Sequence, residues 1–226
     1  MVEESASPPP ATLPAATPLA APAAPREVAT PREKDTLRVE AFSDGVMAIA
    51  ITLLVIELHV PDASTKDLTA ALADEWPSYL AFITSFLTIL IVWINHHRIF
   101  CLLGRIDAPL LFLNGMLLLA VAFIPYATAV LATHILGPEA RTAALLYAGT
   151  GLFLALTFNG LWRYAAGGRR LIQESAPQRE VDAINREYWA GPIFYGAAVG
   201  LAFVFPLGSF ALCTVLAGFF AVTAKL

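Results

Sequence analysis

From about residue 42 onward, long apolar runs alternate with short polar stretches, and this pattern predicts membrane-crossing helices. A helix needs about 20 mostly apolar residues to cross the hydrocarbon core. Several windows reach that length, and six helices are predicted. The first runs from Phe42 to Leu58 and ends before Pro61. The second runs from Tyr79 to Phe100, after Trp76-Pro77-Ser78. The third runs from Pro109 to Leu131 with Pro125 inside it, and the fourth from Ala143 to Tyr164. The fifth, Tyr188 to Phe205, carries Pro192 in its first turn. The sixth, Leu207 to Val222, follows a tight turn at Pro206 and Gly208. Residues 188–222 also fit one long span plus a re-entrant piece. The fold class is therefore all-α, an integral membrane six-helix bundle.

Residues 1–35 differ in kind. Eight of the 16 prolines lie before residue 32, among Ala, Ser and Thr. Such a segment buries too little apolar surface to offset the entropy of ordering it, so it reads as a disordered cytoplasmic tail. It lacks the basic start and unbroken apolar core of a signal peptide. The six-helix membrane bundle then occupies residues 36–226.

Charge orients the bundle. Of the 14 Lys and Arg residues, only Lys66 and Arg141 fall in loops assigned outside when the N-terminus is inside. Positive charge is retained on the cytoplasmic side, so both termini are predicted to be cytoplasmic and the chain to lie in the cell membrane. The first outer loop bears Asp62, Asp67, Asp74 and Glu75. They either concentrate cations at an outer mouth or simply complement a basic inner side.

Overall the chain is 58% hydrophobic and 14% charged, against about a quarter charged in soluble domains. Net charge is −4, with no basic stripe to suggest nucleic acid. Cys101 and Cys213 lack metal-ligand spacing and read as free thiols.

The first helix opens Arg38-Val39-Glu40-Ala41-Phe42-Ser43-Asp44-Gly45. An ionisable residue in a membrane helix is costly and faces protein or water. Placed in the first turn, Ser43 and Asp44 either cap and anchor that end or act directly in ion conduction. With about 100° per residue, Ile49, Thr52, Leu53 and Ile56 share roughly a quarter of the circumference, and Asp44 lies about 140° from Ile49. The second helix ends Trp93-Ile94-Asn95-His96-His97-Arg98. Trp93 and His97 share a face, and adjacent histidines cannot both project the same way, so a metal site is not expected. His97 or Asn95 is placed to reach Ser43 or Asp44 by hydrogen bonds. Gly196 with Gly200, and Gly149-Thr150-Gly151, allow close helix approach within or between chains.

The spacing R-x-x-x-F-S-D at Arg38, Phe42, Ser43 and Asp44, continuing Gly45-Val46-Met47-Ala48-Ile49-Ala50-Ile51-Thr52-Leu53-Leu54, resembles the signature of the transmembrane protein 175 family. Trp93 and His97 add to the resemblance, and the six-helix layout extends it to residue 222. The resemblance implies a homotetrameric, potassium-permeable cation channel whose pore is lined by the first helix of each chain. It implies an aliphatic constriction at Ile49, further aliphatic rings at Leu53 and Ile56, and a threonine ring at Thr52 that sets a weak preference for potassium. Arg38, Phe42, Ser43, Asp44, Trp93 and His97 would then hold the first helix at its working tilt. No T-V-G-Y-G run is present, so a carbonyl filter is not expected. Partners implied are other copies of the chain and the lipid bilayer, with no nucleic acid, soluble partner or cofactor; potassium ions are cargo.

Three other readings compete. A proton- or ion-coupled transporter would use Asp44 and His97, although transporter sites sit near the midplane in broken helices. An intramembrane enzyme is not expected: Asn114, Tyr126, Thr128 and Asn159 form no recognisable catalytic set. A scaffold without transport would differ from a channel only in flux.

Overall fold

The computed structural model describes residues 31–58, 60–62 and 67–223. Residues 1–30 of the tail expected at residues 1–35 lie outside the described residues, as do Lys66 and Lys225. The described chain is helical: α1 (Pro31–Ile56), α2 (Leu68–Asp74), α3 (Trp76–Leu102), α4 (Ala108–His134), α5 (Ala140–Ala166), a 3-10 turn at Gly167–Arg169, α6 (Gln178–Glu187), α7 (Ala190–Ala202) and α8 (Pro206–Thr223). Among the described residues no strand forms beyond one antiparallel bridge between Leu103 and Ile172.

Polar punctuation sets the ends. The Asp107 carboxylate accepts from the Leu110 N–H at 3.0 Å to cap α4, and Pro109 follows in the first turn. Asp67 caps α2 in the same way through Ala70. Between α5 and α6 the chain reverses through Gly168 and Arg169, both at positive φ. Arg169 holds that conformation by donating to the carbonyls of Gln173 and Ala176.

Five helices, α1, α3, α4, α5 and α8, are long and apolar enough to cross a membrane. The segment expected as a fifth span is shorter than predicted. Tyr188 closes α6 and Trp189 opens α7, which runs 13 residues, about 20 Å against a hydrocarbon core of about 30 Å. It doubles back on α8 through a turn in which Phe205 N–H donates to Leu201 O at 2.7 Å. The long-range apolar pattern does not predict α2 or α6. The first is seven residues, and the second is an amphipathic helix that buries only Val181 and Ile184.

The start of α1 overturns one expectation. It begins at Pro31, within the stretch expected as tail, so Ser43 and Asp44 sit about three turns inside the helix. They cannot cap it, because backbone groups there already have helical partners. The helix runs through its charged entry because Asp35 and Arg38 point outward.

Two apolar clusters hold the bundle. Met47, Ala50 and Leu54 of α1 pack with Ile89 and Ile99 of α3, Leu117 and Val121 of α4, and Trp162 of α5. Tyr147 of α5, Tyr195 and Ala198 of α7, and Phe210 and Cys213 of α8 form the second. Cys101 and Cys213 are free thiols, exposed and buried respectively. Tyr195 lies over Gly151, where a Cβ would come 2.5 Å from its ring. An added Cβ at Gly196 or Gly200 would meet nothing within 4 Å among the described residues, so neither marks a close helix approach there.

Candidate functional site: the two faces of α1

Ser43, Met47, Ala50 and Leu54 are buried on α1. Their spacing of four, three and four residues makes one stripe, which faces α3 and α4. The opposite side is bare. Ile49 is 61% exposed, Leu53 42% and Ile56 72%, and Thr52 is exposed beside them. Only 22% of the most apolar window of α1 is buried, against 50% for α4. The four residues that the helical wheel groups together thus lie on the face that the rest of the chain leaves uncovered. The Thr52 hydroxyl donates to the Ile49 carbonyl at 2.8 Å. That bond uses its proton and leaves the oxygen lone pairs free to accept or to meet a cation.

Polar residues fasten the covered side. The Trp93 indole N–H donates to the Asp44 carboxylate at 3.0 Å. One turn away, His97 Nδ1 lies 2.7 Å from the Glu40 carboxylate. Glu40 and Asp44 are four apart on α1, and Trp93 and His97 four apart on the antiparallel α3, so the two bonds form successive rungs. Asp44 and His97, paired in the transporter reading, therefore each have a separate partner. On the α4 side, the Asn114 amide donates to the Ser43 hydroxyl at 2.9 Å, and that hydroxyl donates to the Val39 carbonyl. Asn114 Oδ1 meets His96 Nε2 at 3.0 Å. His96 is fully buried, stacks on Phe100, and its Nδ1 has no hydrogen-bond partner among the described residues.

These contacts correct the expected pairing. His97 reaches Glu40 rather than Ser43 or Asp44. Asn95 turns away, donating to the Ile91 carbonyl and accepting from the Tyr188 hydroxyl. Ser43 is held by Asn114. Arg38 and Phe42 are exposed, Phe42 at 67%, and Arg38 makes no hydrogen bond or ion pair to the described residues. Glu40, His96 and Asn114 are the residues that sequence reasoning missed in this network. A signal exists for two of them: His96 continues the buried stripe Ile89, Val92, Ile99 of α3, and Asn114 lies between Leu110 and Leu117 on that of α4.

Beyond α1, a cluster at the entry of α4 ties it to α5. Asp107 accepts from the Tyr164 hydroxyl at 2.7 Å and from Arg170 at 3.0 Å, and Arg170 also donates to the Tyr164 hydroxyl. Loss of hydration raises the Asp107 carboxyl, but the bonds from Tyr164 and Leu110 and the Arg170 charge outweigh it and hold it below its ordinary value. Among the described residues no three His, Cys, Asp or Glu side chains are grouped to hold a metal ion.

Known proteins resemble this chain in sequence and fold. Residues 38–125 match the family profile described as endosomal/lysosomal potassium channel TMEM175. A potassium channel of Chamaesiphon minutus is 48% identical over 201 residues, which cover 88% of this chain and 99% of the relative. A potassium channel of Streptomyces collinus is 41% identical over 169 residues, 74% of this chain and 82% of the relative. The crystal structure of a lysosomal potassium-selective channel TMEM175 homolog from Chamaesiphon minutus superposes with a TM-score of 0.78 at 47% identity, covering 85% of this chain and 100% of that one. The matched segment opens at Arg38 and contains both rungs and Asn114, and with identity this high over nearly the whole relative, the chain belongs to the TMEM175 family.

Proposed function

We propose that this chain is a potassium-permeable cation channel of the cell membrane, in which four copies gather their α1 helices around a central pore. The observation that carries the reading is the bare apolar face of α1. With its inner stripe packed, α1 leaves the face of Ile49, Thr52, Leu53 and Ile56 to lipid or to other copies, and the family resemblance favours other copies. The relatives named as potassium channels add the class of ion. On this reading the segment from Tyr188 to Phe205, of which α7 is the helical part, and α8 complete six crossings, with both termini cytoplasmic.

Four Ile49 side chains meeting on an axis form a dry constriction, which resists ions because no group there replaces their hydration. Such constrictions gate by wetting and dewetting. Four Thr52 hydroxyls, each with its proton bound to the backbone, present oxygens that replace part of the shell of a passing potassium ion. A carbonyl filter has no place on α1, whose backbone is helical from Pro31 to Ile56. The two rungs to α3 and the Ser43–Asn114 bond set the tilt of α1 and hence the width at Ile49. Potassium flux into liposomes tests this with wild type beside Ile49→Asn. Flux that rises in the variant supports the gate. Absence of flux in both, from particles shown to hold four copies, sinks the channel reading.

A further inference from the structure

Where α7 begins, residues of α3, α5, α6 and α8 face a common space. A groove of about 480 Å³ opens there. Along one stretch it is apolar, lined by Ile91, Leu154, Phe158 and Phe220. At its other end stand Arg98, near the end of α3, and Arg186 of α6. Arg98 donates to Glu187 at 2.9 Å with one amino group of its guanidinium, and a guanidinium has five donors. Arg186 makes no hydrogen bond or ion pair to the described residues. The lining thus carries two cations and one carboxylate, and the first residues of α7, Ala190 and Gly191, also line the groove, where a helix start favours negative charge.

We infer that this groove binds an anionic phospholipid of the surrounding bilayer, with an acyl chain along Ile91, Leu154, Phe158 and Phe220 and its phosphate between Arg98 and Arg186. The shape and charge need both parts of such a molecule. A free phosphate leaves the apolar stretch unfilled. A helix from a second copy leaves Arg186 unmatched unless it brings a carboxylate. A phospholipid in the membrane supplies tail and anion together, and basic pockets between membrane helices take anionic head groups in this way. The inference requires a membrane-embedded chain and does not depend on ion conduction.

Native mass spectrometry of the full chain in detergent, titrated with phosphatidylglycerol or phosphatidylcholine of the same acyl chains, tests it. Wild type should bind phosphatidylglycerol more tightly. Arg186→Gln should weaken that binding about five-fold. Glu187→Gln should strengthen it by removing a competing anion and freeing Arg98. A structural effect on α6 alone would move both variants the same way. Ala155→Phe, which fills the apolar stretch, should weaken both lipids. Equal binding of the two lipids by wild type overturns the inference, as do charge variants that shift together. Full displacement of phosphatidylglycerol by an equal concentration of inorganic phosphate would assign the site to a free anion and overturn it. So would Ala155→Phe changing the number of copies per particle while lipid binding stays intact. If Ala155→Phe fails to fold, the two charge variants, at exposed positions, still decide.

Discussion

Asp44 places a carboxylate well inside a membrane helix, and the Trp93 indole is what meets it. Hydrogen bonds to charged groups contribute about 1.5–3 kcal/mol, and the partial exposure of this pair lowers that. Asp44→Asn and Trp93→Phe should each reduce the melting temperature in detergent, with a double variant losing less than the sum; strictly additive losses would show that the two do not act together. Asn114→Leu should be more costly, because it strands His96 Nε2 inside the bundle and removes the donor to Ser43, a penalty of about 1–3 kcal/mol for each buried group left unpaired. At Asp107 the sign of the pH effect follows from the depressed carboxyl. Its contribution is complete above the ordinary carboxylate value and is lost as pH falls through the lower folded value. The stability difference between wild type and Asp107→Asn should therefore shrink on acidification below that range, and a difference that stays constant would count against the cluster. Residue roles were the least legible level in the sequence. The motif drew attention to His97, yet the buried imidazole is His96, because the inward stripe of α3 passes through it.

Among elements, α7 packs closely on α5 at a glycine. Tyr195 rests on Gly151 of α5, so Gly151→Ala drives a methyl into the ring and should destabilise by about 1–3 kcal/mol, as overpacking does. Gly196→Ala meets nothing within 4 Å and should leave the melting temperature nearly unchanged. Similar losses at both positions would refute the assignment of the close approach to Gly151. Helices α3, α4, α5 and α8 were legible from apolar runs set off by prolines and short polar stretches, and the observed ends extend those runs by a few residues. Two element boundaries were not. The start of α1 is charged, and charge beside an apolar run looks like its end until packing shows the helix continuing at the surface. The start of α7 was hidden because Tyr188 and Trp189 are apolar by composition while they serve as the junction with α6.

For the whole molecule, the uncovered face of α1 is the feature that a single copy leaves unresolved. If copies meet there, Ile56→Cys in a Cys101→Ser background should form disulfide-linked dimers on mild oxidation in membranes, while Val222→Cys, 87% exposed on α8, should not. Equal cross-linking at both positions would remove α1 from the assembly axis. The sequence alone determined that the chain is a membrane-embedded helical bundle, since only long apolar runs satisfy lipid and the backbone together. It also grouped Ile49, Thr52, Leu53 and Ile56, because helical period is a property of the chain by itself. Which side of α1 is covered was a tertiary outcome: burial depends on what α3 and α4 bring against it, and so does the pairing of Glu40 with His97 and of Ser43 with Asn114, residues far apart in sequence whose meeting is set by the register of antiparallel helices.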